Sequence, residues 1–186
     1  INVAKAAQRI SGTAKYSKAA GSKPFRLNAK RTAGDGKLSY LSANRAVATV
    51  SDNGTVTIKK PGSAIITITA ATTVNYSPCS FRINLSVTAP KKGTILTDSK
   101  TKAKYKVSKQ GKAVEYVKPE DKMAVKVSIP ATVTISGVKY NVTAIASNAF
   151  SGCKKLKSIT IGKNVESIGT KAFASCTACI LYSMSY

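Results

Sequence analysis

Histidine and tryptophan are both absent from this chain of 186 residues. Without histidine, neither a Ser-His-Asp nor a Cys-His catalytic arrangement can form, and a zinc site with histidine ligands is excluded. Carboxylates are scarce too, because only 7 Asp plus Glu are scattered along the chain, which leaves little for acid–base or two-metal chemistry. We therefore expect a protein that is not an enzyme and that has no catalytic residue, metal site or cofactor.

Cysteine is sparse, with four residues at Cys79, Cys153, Cys176 and Cys179. This number is too small for a secreted disulfide scaffold in a chain of this length. The segment Cys176-Thr-Ala-Cys179 has the C-x-x-C spacing of redox and zinc sites, but it lacks two further soft ligands and a βαβ context. The favoured interpretation is that the cysteines fill small buried positions, and the redox state of Cys176 and Cys179 stays open.

Long hydrophobic runs are missing as well. No apolar stretch reaches the roughly 18 residues that a membrane-spanning helix needs, so we expect no membrane insertion. The chain shows no signal peptide and begins with Ile1 instead of methionine. Both features are consistent with a processed or trimmed piece of a longer protein.

Charge is abundant and almost entirely of one sign: 30 Lys plus Arg give a formal net charge of +23. The basic residues are mostly lysine and are spread evenly, and aromatic residues make up 6%. Nucleic-acid-binding proteins concentrate arginine on one face and add aromatic residues for stacking, so we expect no specific nucleic-acid partner. The charge indicates a solvated cationic surface, which is compatible with attraction to polyanions such as anionic cell-wall polymers.

Strand patterns separated by turn residues fill the first half of the chain. In residues 81–87 apolar residues alternate with polar ones, which predicts one buried and one solvated face. Asn53-Gly54 suits the positive φ of a hairpin turn. About seven short strands in this half favour an immunoglobulin-like β-sandwich.

A more specific pattern lies in residues 38–68. It combines Val47-Ala-Thr-Val50, a turn glycine at Gly54, a second glycine at Gly62 and an alternating Ile/Thr strand up to Ile68. This pattern resembles the bacterial immunoglobulin-like domain of group 2, and the resemblance covers most of residues 8–88. It implies a stalk or adhesive module of bacterial surface proteins, with no catalytic or metal residues to carry over.

The second half contains an internal repeat with a shift of 23 residues. The shift aligns Val142 with Val165, Ile145 with Ile168, Phe150 with Phe173, and Cys153 with Cys176. This period is typical of leucine-rich repeats, whose stacked units bury an apolar face that one unit cannot bury alone. Each unit is predicted to contribute a short strand and a short helical turn.

The linker Ala89-Pro-Lys-Lys-Gly93 predicts a domain at residues 1–89 and another at 90–186.

Residues 142–161 read Val-x-x-Ile-x-x-x-Ala-Phe-x-x-Cys-x-x-Leu-x-x-Ile-x-Ile. This pattern resembles the BspA-type leucine-rich repeat of bacterial and protist surface proteins, and the resemblance covers roughly residues 124–179. It implies a β-hairpin cap and about two repeat units, near residues 142–164 and 165–186. The residues expected in the repeat core are Ile145, Phe150, Cys153, Leu156, Ile159, Ile161, Ile168, Phe173 and Cys176.

Fold and function follow from these patterns as expectations. The fold class is mainly β: an immunoglobulin-like sandwich, then a β-rich cap and a short leucine-rich-repeat solenoid with short helical turns. The resemblances imply an extracellular module, secreted or at the bacterial cell surface, for adhesion or ligand display. Its repeat module would bind a host or bacterial surface protein or glycan, with the sandwich as a spacer. The oligomeric state stays open, with a monomer favoured.

The candidate binding face consists of Lys157, Ser158, Thr160 and Lys163, which as exposed residues would suit an acidic or hydroxylated ligand. The alternative is a cationic structural module that contacts anionic cell-wall polymers without a specific ligand. In that case binding should collapse as salt is added, and no single face should dominate.

Overall fold

The computed structural model describes residues 3–177 and 180–185 of the chain. Within these residues only strands, turns and irregular segments occur, and none of them is helical. The mainly-β fold class is therefore confirmed. The chain divides into two compact units, Ile1–Ala89 and Pro90–Tyr186.

The segments expected to form short helical turns are series of hydrogen-bonded turns instead. The hydrogen bonds of the first segment explain why it is not a helix. The amides of Ala149, Ser151 and Cys153 donate to carbonyls three residues earlier, at 3.0–3.2 Å. The amides between them point along the solenoid axis instead, since Phe150 N donates to the carbonyl of Ala172 at 2.7 Å. A helix would need all of these amides for its own bonds, so the segment cannot close into one.

Eleven strands build the first unit over its described residues 3–89. They are Ala6–Ala7 (β1), Arg9–Gly12 (β2), Lys15–Ala19 (β3), Phe25–Arg26 (β4), Ala29–Ala33 (β5), Leu38–Ser42 (β6), Ala48–Val50 (β7), Thr55–Ile58 (β8), Gly62–Ala70 (β9), Tyr76–Ser77 (β10) and Cys79–Thr88 (β11).

Two sheets, in the orders β3-β11-β9-β6 and β4-β8-β7, enclose the core of this unit. The long antiparallel pair β9–β11 contributes alternate buried residues, among them Ile66, Ile68, Ile83 and Leu85. The opposite sheet contributes Val56, which is fully buried. Two pairings are parallel, β3 with β11 and β1 with β10, so the sandwich is not purely antiparallel.

A single buried glutamine ties the first strands to the rest of this unit. Gln8 is 5% exposed, and its Nε2 donates to the carbonyls of Ala71 at 2.7 Å and Ser77 at 2.9 Å. Its Oε1 accepts from the amide of Gly36 at 2.8 Å. Three backbone groups that would otherwise lack partners are thus satisfied by one side chain.

Nine strands build the part of the second unit that the structure describes, residues 90–177 and 180–185. They are Ile95–Asp98 (β12), Ala103–Lys109 (β13), Ala113–Pro119 (β14), Lys126–Ile129 (β15), Thr132–Ile135 (β16), Val138–Ile145 (β17), Ser158–Gly162 (β18), Ser167–Ile168 (β19) and Ile180–Ser185 (β20).

Two parallel ladders run along this unit, as expected of stacked coils. One is β14-β17-β19 and the other is β15-β18-β20. The antiparallel pairs β12–β13, β13–β14 and β16–β17 adjoin the first ladder. The strands of residues 103–142, which precede the two predicted repeat units, are expected to form the cap. The strand β15 lies among them, but it is a rung of the second ladder, with Val127 opposite Ile159 and Ile129 opposite Ile161.

Gly162 marks the closest approach between successive coils. Gly162 is buried, and a Cβ atom at this position would overlap the backbone of Pro130 and Ala131 in the preceding coil. Gly169 meets the backbone of Ala146 and Ser147 in the same way. Since backbone cannot move aside as a flexible side chain can, both positions require glycine for coil contact.

We predict that Gln8→Leu lowers the free energy of unfolding of the first unit by about 2 kcal/mol, because buried backbone groups lose their partners. Denaturant titration of the full chain measures this loss. The exposed Thr32→Ala variant, which loses only a 3.4 Å contact to the carbonyl of Arg9, should stay within about 0.5 kcal/mol. Equal stability of the two variants would contradict the role of Gln8.

We also predict that Gly162→Ala destabilises the second unit by about 3 kcal/mol, because the added methyl group collides with backbone. The matched control is Gly152→Ala, where φ is +81° but a Cβ meets nothing within 4 Å. That variant carries only the conformational cost of about 1 kcal/mol. Thermal and denaturant unfolding would rank the two, and the reverse order would show that the coils tolerate separation.

Candidate functional site

A column of stacked aromatic rings holds the coils of the second unit together. Tyr116 stacks on Phe150 with ring centroids 5.3 Å apart, and Phe150 stacks on Phe173 at 5.2 Å. Tyr105 meets the edge of the column at 5.5 Å and 88° to the ring of Tyr116. The interplanar angles of 14° and 9° within the stack show that each coil repeats the backbone of the one before it.

Six of the residues expected in the repeat core are buried: Ile145, Phe150, Cys153, Leu156, Ile159 and Ile161. Phe173 and Cys176, in the last described turn, are half-buried. Ile168 differs from the expectation, because its side chain is 52% exposed. Its strand β19 pairs with β17 and is the terminal described rung of that ladder, so described neighbours cover one side of it only.

Outward-facing residues of the ladder β15-β18 form a compact polar surface. Lys126 lies opposite Ser158, and Ser128 lies opposite Thr160. The residues between them, Val127, Ile129, Ile159 and Ile161, face the interior. Adjacent parallel strands are about 4.8 Å apart, so the four polar side chains form a two-by-two grid.

Lys157 adjoins this grid at the start of β18, where its amide donates to the carbonyl of Val125 at 2.8 Å. We call Lys126, Ser128, Lys157, Ser158 and Thr160 the coil face. All five are exposed except Ser158, which is half-buried. The apolar side chains of Met123 and Val125, 55% and 43% exposed, precede β15.

The structure brings three of the four predicted binding residues together on the coil face: Lys157, Ser158 and Thr160. Lys163 does not join them, because it lies in the turn that follows the buried Gly162 at the end of β18. Sequence reasoning missed Lys126 and Ser128. One sequence pattern indicates Ser128: Val127-Ser-Ile129 and Ile159-Thr-Ile161 both alternate apolar, polar, apolar. In both strands this alternation places a polar residue between two inward residues.

A cavity of about 270 Å³ adjoins the coil face on the β15 side. Its lining includes Lys126 and Ser128 of the coil face together with Thr101, Lys102 and Asp121. Tyr116 lines it too, and its hydroxyl is buried with no hydrogen-bond partner among the described residues. Burial raises the pKa of Tyr116 far above its usual value, so this phenol stays neutral.

Neighbouring Tyr105 has a different environment, although its ring packs against the same column. The Tyr105 hydroxyl donates to Thr101 Oγ1 at 3.0 Å, and the Thr101 hydroxyl donates in turn to Asp98 Oδ2 at 2.8 Å. Burial raises the pKa of Tyr105, the hydrogen bond with Thr101 acts in the opposite direction, and the charge of Asp98 reinforces the rise. The two tyrosines therefore differ in whether the hydroxyl is satisfied.

Metal-binding chemistry finds no support in the part of the chain that the structure describes, where no group of three or more His, Cys, Asp or Glu residues converges. Cys79, Cys153 and Cys176 are free thiols, and Cys179 lies outside the described residues. Among residues 3–177 and 180–185 no helix is long and apolar enough to cross a membrane. The coil face and the adjoining cavity are surfaces of this unit that a ligand can reach.

Two family models match the chain, one in each unit. Residues 26–72 match the immunoglobulin-like domain of intimin, and residues 129–184 match the BspA-type leucine-rich repeat region. The two resemblances read from the sequence are therefore confirmed, with the intimin-type domain as the matching immunoglobulin-like family. Both are modules of bacterial surface proteins, and no catalytic family is indicated. No curated protein matches the chain.

Three solved structures are similar to parts of the chain. A leucine-rich cell surface protein from Faecalibacterium prausnitzii A2-165 is 24% identical over 50% of this chain and 24% of its own, with a TM-score of 0.42. The T. pallidum leucine-rich repeat protein is 24% identical over 49% of this chain and 39% of its own, with a TM-score of 0.38. An EHEC O157:H7 intimin mutant is 21% identical over 50% of this chain and 54% of its own, with a TM-score of 0.31. The chain thus spans about a quarter of the first protein and less than two thirds of the others.

The contrast between the two tyrosines gives a prediction. Tyr116→Phe should raise the free energy of unfolding by about 1 kcal/mol, because it removes a buried hydroxyl that has no partner. Tyr105→Phe should lower the free energy of unfolding by about 1 kcal/mol, because it removes a hydrogen bond. The change in side-chain volume is the same in both variants. Denaturant titration compares the pair. A loss of stability in Tyr116→Phe as large as that in Tyr105→Phe would show that the Tyr116 hydroxyl is satisfied.

Proposed function

We propose that this chain is a non-catalytic interaction module of a bacterial cell-surface protein, in which the coil face binds a protein or glycan partner and the immunoglobulin-like unit is a spacer. The two matched families support the surface location and the interaction role. The observation that carries the proposal is the polar grid of the coil face, exposed on a ladder whose inward residues are packed. Inward residues are buried and out of reach of a ligand, whereas Lys126, Ser128 and Thr160 are exposed and Ser158 is half-buried.

The chemistry of the coil face defines the class of ligand. Lys126 and Lys157 each present an ammonium group with donors only, while Ser128, Ser158 and Thr160 each present a hydroxyl that both donates and accepts. Such a surface favours a partner with carboxylate or sulfate groups beside hydroxyl or amide groups. Acidic glycans and acidic protein segments both meet this description.

A second candidate function rests on the charge of the whole chain, which is +23 and spread over both units. In that case the protein contacts anionic cell-wall polymers everywhere on its surface. Exposed charges separated by more than about 8 Å are largely screened at physiological salt, so such binding depends strongly on salt. The coil face would then contribute no more than any other pair of lysines.

Matched double variants of the full chain separate the two functions. Lys126→Ala with Lys157→Ala removes two charges from the coil face, and Lys91→Ala with Lys92→Ala removes two exposed charges near the start of the same unit. We expect immobilised dextran sulfate or polyglutamate, an acidic polypeptide, to bind the chain at physiological salt. The coil-face variant should lose about tenfold in affinity because central contacts are lost. The control variant should lose less than about twofold.

Neutral dextran serves as the negative control in the same binding measurement. Equal losses in the two double variants, together with collapse of all binding at physiological salt, would favour the cationic module over the coil face. Absence of binding to both anionic polymers even at low salt would contradict both functions. Circular dichroism of each variant confirms that the strands are retained.

A further inference from the structure

Two thiols occupy the same position in successive coils of the second unit. Cys153 and Cys176 each close a turn by donating the backbone amide to the carbonyl of the phenylalanine three residues earlier, at 3.0 Å and 3.2 Å. The thiol of Cys176 also reaches into the preceding coil, where its Sγ lies 3.1 Å from the carbonyl oxygen of Phe150. That oxygen is the one that the Cys153 amide contacts, so the two cysteines meet at a shared acceptor.

The spacing of the coils at this point is fixed by contacts of the residues that precede the two cysteines. The rings of Phe150 and Phe173, three residues before each cysteine, are 5.2 Å apart. The amides of Phe150 and Gly152 donate to carbonyls of the next coil at 2.7 Å and 3.4 Å. A disulfide needs Cα atoms about 4.4–6.8 Å apart, and a coil spacing near 5 Å lies within that range.

We propose that Cys153 and Cys176 are a cross-linking site, at which a low-molecular-mass disulfide converts the two free thiols into a covalent bond between adjacent coils. The proposal does not depend on ligand binding by the coil face. It differs from the C-x-x-C interpretation of the sequence, because the partner of Cys176 is one coil away instead of three residues along the chain.

The reaction balances as two successive thiol–disulfide exchanges. Cys176, the half-buried thiol, loses its proton to solvent, and its sulfur attacks the reagent disulfide, which releases one thiolate that takes up a proton. Cys153 then loses its proton, and its sulfur attacks the Cys176 sulfur of the mixed disulfide, which releases the second reagent thiol. Two protein thiols are oxidised and one reagent disulfide is reduced to two thiols.

Local burial slows the reaction without preventing it. Cys153 is 3% exposed, and burial raises the pKa of its thiol, with Lys122 acting in the opposite direction and Asp121 reinforcing the rise. Burial raises the pKa of Cys176 as well, while the backbone of Cys153 lowers it. Both thiols are mostly protonated at neutral pH, so hours of exposure are needed instead of minutes.

The test treats the folded full chain with oxidised glutathione and maps the product by proteolysis. Lysines at positions 154, 155, 157, 163 and 171 separate the two cysteines. Trypsin therefore leaves Cys153 in peptide 140–154 and both Cys176 and Cys179 in peptide 172–186. We expect loss of two hydrogens in the intact chain and a cross-linked pair of these peptides, both reversed by dithiothreitol.

Variants make the assignment unambiguous. Cys79→Ser with Cys179→Ser leaves only the proposed pair, and it should form the same cross-link at a similar rate. Cys153→Ser in the same background should stop the reaction at a glutathione adduct on Cys176, because no other thiol remains to attack that adduct. The oxidised chain should unfold at a higher denaturant concentration than the reduced chain, since the closed loop restricts the unfolded state.

Two results would overturn the proposal. One is a peptide 172–186 that loses two hydrogens on its own, which means a bond between Cys176 and Cys179. The other is persistence of free thiols or of a glutathione adduct at Cys176 when Cys153 is present. The same treatment in urea serves as the reference, because there the cysteines pair without the register that the folded coils impose.

Discussion

Hydrogen bonds between successive coils are the interaction on which the second unit depends. Around Phe150, alternate amides bond within their own turn and across to the next coil. This alternation prevents a helix and fixes the spacing at which the aromatic rings stack. Because each coil copies the backbone of its neighbour, one register determines where every inward and outward side chain lies.

The coil face follows from this register and not from any local motif. Ser128 and Thr160 are 32 residues apart in the chain, yet they lie opposite each other because Ile129 and Ile161 pack in the same row. Packing of the inward residues fixes the backbone positions from which the outward side chains extend. A ligand meeting such a surface finds side chains already positioned, which lowers the entropy cost of binding.

Sequence patterns predicted those features that repeat at a constant interval. The shift of 23 residues placed Phe150 over Phe173 and Cys153 over Cys176, and alternation in residues 81–87 placed the inner face of β11. The rung β15 was assigned to a cap because it precedes its partner β18 by 32 residues, so a search for a constant period passes over it. Gln8 was missed for a related reason: its partners Ala71 and Ser77 lie more than 60 residues away and are backbone groups, which no side-chain pattern reveals.

Uniform charge and a local polar grid make different demands on the fold. A cationic surface needs only that lysines stay solvated, and an even spread of lysine along both units satisfies that requirement in almost any conformation. The coil face needs neighbouring strands in register within a fraction of the 4.8 Å spacing between them. The stacked rings, the glycine contacts at Gly162 and the hydrogen bonds between coils all serve this register. The second unit thus maintains an order that electrostatic attraction alone does not require, and the coil face exposes that order at the surface.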